Sequence, residues 1–215
     1  IADNDGIQEY IKRIYQRNSY LIAYGGDQVF QVKPERSDQE KYPFLNSLYA
    51  FSVARIQPDN NIDMILNAFI NFTPFPIVFV GNWSCSEYGI RTKANYLKYK
   101  NILLLDAIYD QRELNVLRSN CSIYIHGHSA GGTNPSLVEA MHLSLPIFAY
   151  ASGFNEYTTK NKAVYFSSSA ELAKKINDIS FEHLRHIGKE MKNIASSSYR
   201  WELITRKYSE VLRQK

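Results

Sequence analysis

Short apolar runs alternate with amphipathic stretches along most of this chain. Seven runs rich in β-branched, aromatic and leucine side chains predict strands, at residues 20–24, 47–54, 76–81, 101–105, 121–126, 145–150 and 163–167. Between them the spacing turns helical. In NNIDMILNAFINF (60–72), Ile62, Ile65, Leu66, Phe69 and Ile70 fall on one side, and in DQRELNVLRSN (110–120) Leu114 and Leu117 come together. Further helices are predicted at 134–143 and 169–179. Near-continuous apolar strands separated by such helices predict βαβ units. The expected fold class is therefore α/β, a Rossmann-like parallel sheet with helices on both faces.

The two ends depart from that rhythm. Residues 1–16 predict a helix, 20–24 a strand closing on a glycine turn, and QVKPERSDQEKYP (31–43) a polar, proline-containing connector. The chain does not open on Met, and residues 1–43 read as the tail of a preceding domain plus a linker. The expected units are 1–43, a main domain at 44–196 and a closing helix at 197–215. Past Ser180 a helix is predicted, then a break at 195–198. In the last helix Trp201, Leu203, Ile204, Tyr208, Val211 and Leu212 form an apolar stripe.

Composition adds limits. Hydrophobic residues make up 45% and charged residues 21%, as in ordinary globular proteins. No apolar run approaches the roughly 20 residues that cross a bilayer, and the polar, acidic start does not resemble a signal peptide. Cys85 and Cys121 have no metal-ligand spacing, and Cys121 sits in an apolar run where a buried free thiol is expected. A reducing cytoplasm fits. The net charge of +4 concentrates after His183, where eight Lys and Arg face three Glu. That excess is either a solvated helical face or a contact with an anionic membrane surface. No nucleic-acid-binding motif accompanies it, so nucleic acid is not an expected partner.

The densest chemistry lies in YIHGHSAGGTNPSLVEAMHLSLP, residues 124–146. A predicted strand delivers the chain to the carboxyl edge of the sheet, where parallel sheets bind ligands. Gly131 and Gly132 permit a tight loop, Asn134 is a good helix cap, and Pro135 suits the first helical position. A helix start carries partial positive charge, worth about 0.3–1 kcal/mol to a nearby anion. The loop suits a phosphate or a cluster of sugar hydroxyls. Glu139, one turn in, would repel a phosphate but can accept two hydrogen bonds from a ribose diol. His126 and His128 have no third metal ligand nearby; they are satisfied loop histidines or partners of a sugar.

The block from His126 to Met141 resembles the signature region of GT-B glycosyltransferases of the family-four type. More narrowly it is similar to bacterial rhamnosyltransferases of capsule and cell-wall polysaccharide assembly. FSVARIQPDNNIDMILNAF, VFVGNW, the segment 103–129 and YRWELITRKY resemble further parts of that donor-binding domain, in the family's order. The resemblance implies the carboxyl-terminal domain of a glycosyltransferase. Its donor would be a nucleoside-diphosphate sugar such as dTDP-rhamnose, its acceptor a polysaccharide or lipid-linked sugar. It implies retention of anomeric configuration, and no metal and no cofactor beyond that substrate; the expected location is the cytoplasm, at the inner membrane face if the basic tail is a membrane contact.

Residue by residue, the resemblance assigns Glu139 to the ribose, and Arg55, Asn60, His126, His128, Gly131, Gly132, Thr133, Asn134 and Ser136 to the donor phosphates and sugar. Two positions depart from the family pattern. Gly131 stands where the family has a sugar-reading Glu, and Asn60 where it has a phosphate-binding Lys. Arg55 keeps the guanidinium, whose fork fits phosphate oxygens. Asp106, at another strand end, is either a base contact or a turn residue. A non-catalytic nucleotide-sugar-binding domain and a GT-B-like sugar-nucleotide epimerase also fit these residues.

Overall fold

A computed structural model of the chain describes residues 1–70 and 73–213. In order the elements are α1 (Asp5–Tyr15), α2 (Arg36–Lys41), β1 (Ala50–Val53), α3 (Ile62–Ala68), β2 (Ile77–Val80), α4 (Glu87–Tyr96), β3 (Ile102–Leu105) and α5 (Gln111–Ser119). Then follow β4 (Ile123–His126), α6 (Pro135–His142), β5 (Ile147–Tyr150), α7 (Gly153–Thr158), β6 (Val164–Phe166), α8 (Ser169–Asp178), α9 (Phe181–Ser198) and α10 (Trp201–Arg213).

All six strands are parallel, in the order β3-β2-β1-β4-β5-β6. The expected α/β fold is the one observed. Side chains alternate across the sheet and both faces are covered, which is why the strands are mostly apolar, Ser52 and His126 excepted. One layer collects Phe51, Val78, Tyr124 and Ile147 against Leu137, Met141, Ile187 and Met191. The opposite layer collects Ala50, Phe79, Ile125 and Phe148 against Ile62, Leu66 and Leu172. Fully burying each such Val, Leu, Ile, Phe or Met stabilises by about 1.5–3 kcal/mol.

Local chemistry sets the helix starts. Asp110 caps α5 by accepting the Glu113 amide at 2.7 Å, and Asn134 caps α6 by accepting the Ser136 amide at 3.0 Å.

Three expectations are corrected, and two further helices went unpredicted. Residues 20–24 form no strand: Leu21 makes a single parallel bridge with Ala2, framed by Ala2 N–H to Tyr20 O and Ile22 N–H to Ala2 O, both 2.8 Å. The polar connector contains α2, whose Glu35 and Asp38 cap it reciprocally while Arg112 grips Asp38 through two 3.0 Å bonds. The break predicted at 195–198 falls later, because the Ser197 hydroxyl turns back onto Ile194 O and the Tyr199 amide still reaches Ala195 O. Two helices have no apolar stripe to announce them: α4 buries Gly89, Thr92 and Tyr96, and α7 buries Asn155 and Thr158.

The helical pattern of 60–72 ends on Asn71 and Phe72, which lie outside the described residues, as does Lys215 of the basic tail. Of the stripe expected on α10 only Ile204 is buried; Trp201, Tyr208 and Leu212 are exposed. Cys121 is buried and Cys85 exposed, both as free thiols. Among the described residues no helix is long and apolar enough to cross a membrane.

Candidate functional site

The strand order reverses between β1 and β4, so the loops leaving their carboxyl ends diverge to opposite faces and open a crevice. Those two loops are stitched together. The Asn61 side chain donates to Gly127 O at 2.8 Å, and Ser129 gives both its amide and its hydroxyl to Asp59 O, at 2.9 and 2.8 Å. Gly127 passes so close to Asn60 O that a β-carbon would lie 2.1 Å from it, which only glycine allows.

A cavity of about 370 Å³ sits above this junction, lined by Val53, Ala54, Arg55, Asn60, His126, His128, Asn134, Pro135 and Ser136. Six of the residues expected at the site are therefore brought together. Arg55 is exposed and no carboxylate pairs with it among the described residues, so its guanidinium is available.

Burial disfavours the charged form of both histidines. Burial, with His128 as neighbour, pushes the His126 imidazole down to about 3. His126 Nε2 has no partner among the described residues, although the atom is buried. Its ring lies 6.3 Å from that of Tyr124 and 6.1 Å from that of His128. Burial also lowers His128, with Arg55 pushing the same way and Asp59 opposing. His128 Nδ1 lies 3.0 Å from Asn60 Oδ1, while the Asn60 amide donates to Arg55 O at 2.9 Å. Asn60 is thus committed on both sides, fixing the Arg55 backbone and the His128 ring.

The helix start offers fewer free amides than its sequence promises. Pro135 has none, and the Ser136 amide and hydroxyl both donate to Asn134 Oδ1, at 3.0 and 2.8 Å. An anion in this cavity meets Arg55, imidazole and the helix dipole rather than a row of open N–H groups.

Four expected residues lie outside the cavity wall. Gly131 adopts φ +105° beside His128. Gly132 lies against the Asp3 carboxylate, and the buried Thr133 donates its hydroxyl to Asp3 O at 2.5 Å, facing a second cavity under the amino-terminal segment. Glu139 is one turn beyond Ser136 on α6. One of its oxygens is held by the Arg118 guanidinium and the other accepts from Gln28 at 2.5 Å. Asp106 pairs with Lys93 at 2.8 Å on the surface.

Sequence reasoning missed three residues around the site. Arg118 follows Leu114 by four positions, so it falls on the buried face of α5, a signal visible in the spacing. Gln28 and Asp3 carry no local signal, because their partners lie more than a hundred residues away.

The fold is shared with solved glycosyltransferase structures. The chain is similar to sucrose-phosphate synthase from Thermosynechococcus elongatus (TM-score 0.83, 17% identity, 99% of this chain and 57% of that one). It is similar also to a glycosyltransferase from Rickettsia africae (0.84, 16%, 99% and 62%) and to Anabaena HepE in complex with UDP-glucose (0.82, 18%, 100% and 63%). The chain thus spans 57–63% of the length of these proteins. No curated protein matches it by sequence. The family model for glycosyl transferases group 1 matches residues 34–199, and the chain belongs to that family.

Proposed function

We propose that this chain is the donor-binding part of a glycosyltransferase, holding a nucleoside-diphosphate sugar at the β1/β4 crevice. The observation that carries this reading is the meeting of Arg55, His126, His128 and the first turn of α6 around one cavity, with Glu139 one turn farther along the same helix. Positions three apart on a helix are neighbours about 5–6 Å apart. A diphosphate in the cavity would therefore place its pentose beside Glu139. Arg55 would stabilise charge growing on the diphosphate as the sugar's anomeric bond to it breaks and a bond to the acceptor oxygen forms. His126 Nε2 would meet a hydroxyl of the sugar, satisfying an atom that otherwise lacks a partner.

HepE has been crystallised with UDP-glucose, which supports a pyrimidine nucleoside diphosphate as donor. The narrower resemblance of the 126–141 block supports dTDP-rhamnose, with a polysaccharide or lipid-linked acceptor. On this reading residues 44–196 are the donor domain, 1–43 the tail of an acceptor-side domain and 197–215 a closing helix. The enzyme would work in the cytoplasm at the inner membrane face, its basic carboxyl-terminal helices toward anionic lipid, and this chain alone would not turn over donor.

The test is a thermal-shift panel of UDP, dTDP and GDP on this chain, with Arg55→Ala as control. Stabilisation by at least one nucleotide, lost in the variant, is expected; no stabilisation by any of them defeats the proposal. Donor turnover in the whole polypeptide then separates transfer from epimerisation or binding alone.

A further inference from the structure

Gln28 reaches Glu139 from a segment that precedes the sheet, 111 residues away in sequence. Its amide is engaged at both ends. Nε2 donates to Glu139 Oε1 at 2.5 Å, and Oε1 accepts the Trp201 indole N–H at 2.8 Å. A carboxylate only accepts and an indole only donates, so these partners fix which way the amide points. The segment itself is tied to the start of α10: the Gly26 amide donates to Tyr199 O and the Trp201 amide to Asp27 Oδ1, both at 2.8 Å. On the far side of Glu139, Arg118 holds the second oxygen and donates to Asn115 Oδ1 at 3.1 Å. A continuous string of side-chain hydrogen bonds therefore runs from the first residue of α10 to a guanidinium buried behind α6.

Resting on the reading that Glu139 grips the donor's pentose, we propose that Gln28 positions Glu139 for the pentose and that Trp201 responds to its occupancy. Each Glu139 oxygen already carries one donor, which fixes the carboxylate plane and leaves acceptor capacity on both oxygens for two adjacent hydroxyls. Gln28 Nε2 has a second N–H, which a hydroxyl oxygen of a bound pentose could accept. A pentose bound there shifts the Gln28 amide, and the amide holds the indole of Trp201. Trp201 is 42% exposed, whereas the other tryptophan, Trp83, is buried and fixed to Leu105 O at 2.8 Å. An emission change on binding would therefore come from Trp201.

The experiment titrates UDP, dTDP and inorganic pyrophosphate into the 215-residue chain, following heat and tryptophan emission, for wild type, Gln28→Ala and Trp201→Phe. Loss of a hydrogen bond to a charged group predicts about tenfold weaker UDP binding in Gln28→Ala. Pyrophosphate, which has no pentose, should bind the variant as it binds wild type. UDP should change the emission of wild type but not of Trp201→Phe. Unchanged UDP affinity in Gln28→Ala overturns the proposal, and so does an equal loss for UDP and pyrophosphate, which would make Gln28 a support of the fold only. Failure of wild type to bind either nucleotide overturns the donor-site reading itself, and this proposal with it.

Discussion

Arg118 and Glu139 form an ion pair in which the guanidinium is shut away from solvent and the carboxylate keeps an edge in water, their side chains 1% and 18% exposed. The two partners are therefore not equivalent. Glu139→Ala strands a buried guanidinium whose Nε already lacks a partner among the described residues. Arg118→Met leaves a carboxylate that water and Gln28 can still reach. Breaking a buried pair costs roughly 3–5 kcal/mol, which for a chain of this size lowers Tm by about 6–20 °C. Thermal melts should place Glu139→Ala at the upper end and Arg118→Met at the lower. Equal losses would contradict the asymmetry. Glu139→Gln, which keeps an acceptor oxygen against Arg118, is the variant suited to binding measurements.

Gly131, which the resemblance of the 126–141 block sets at the family's sugar-reading carboxylate, has a φ of +105°, one that L side chains rarely adopt. Restoring that carboxylate should fail for a backbone reason. Gly131→Glu must strain the loop or refold it, at about 1–3 kcal/mol, and should not tighten binding of UDP-glucose. A melt within experimental error of wild type, with tighter binding, would indicate a more adaptable loop than the structure has.

The six sheet strands were legible because helices cover both faces of the sheet and each strand is mostly apolar, broken only by Ser52 in β1 and His126 at the end of β4. Residues 20–24 carry the same signature but make a single ladder bridge, to Ala2, among the described residues, since strand propensity does not say whether a strand lies alongside. The crevice was legible in part. Arg55, His126, His128 and Asn134 sit where strand ends and caps place them. The commitments of Asn60 and Ser136 were not legible, because both depend on which neighbour claims a given lone pair or N–H. Long-range partners such as Gln28 for Glu139 and Asp3 for Thr133 are set by tertiary packing and leave no periodicity to read.

Two buried histidines, His126 and His142, and the half-buried His128 make stability depend on pH. Burial lowers His126 to about 3 and also lowers His128 and His142. Their folded-state values lie below the unfolded value, so the unfolded chain takes up protons first as pH falls. The stability they contribute is complete above about pH 6.5 and is lost progressively below it. For His126, whose folded value lies far below the window, the slope approaches about 1.4 kcal/mol per pH unit once the unfolded form is protonated, and His128 and His142 add in the same direction. Tm should therefore fall between pH 7 and pH 5, above the range in which the carboxylates titrate. His126→Asn should fall less steeply. A wild-type Tm that is flat across that window would mean the imidazoles are hydrated in the folded state.

Arg55 should separate binding from folding. It is exposed and unpaired, so Arg55→Ala should change stability by no more than about 0.5 kcal/mol. Its guanidinium is nevertheless the cation lining the crevice, and the first turn of α6 has little open N–H to replace it. Hydrogen bonds from a charged group contribute about 1.5–3 kcal/mol each, so loss of one should weaken UDP binding roughly 10- to 150-fold. Arg55→Lys should recover only part of this, because an ammonium supplies charge without the two-pronged geometry that matches phosphate oxygens. Calorimetry at low and moderate salt is decisive: the wild-type advantage over Arg55→Ala should shrink as salt screens the phosphate charge. An Arg55→Ala protein that binds UDP as wild type does would move the diphosphate out of the β1/β4 crevice.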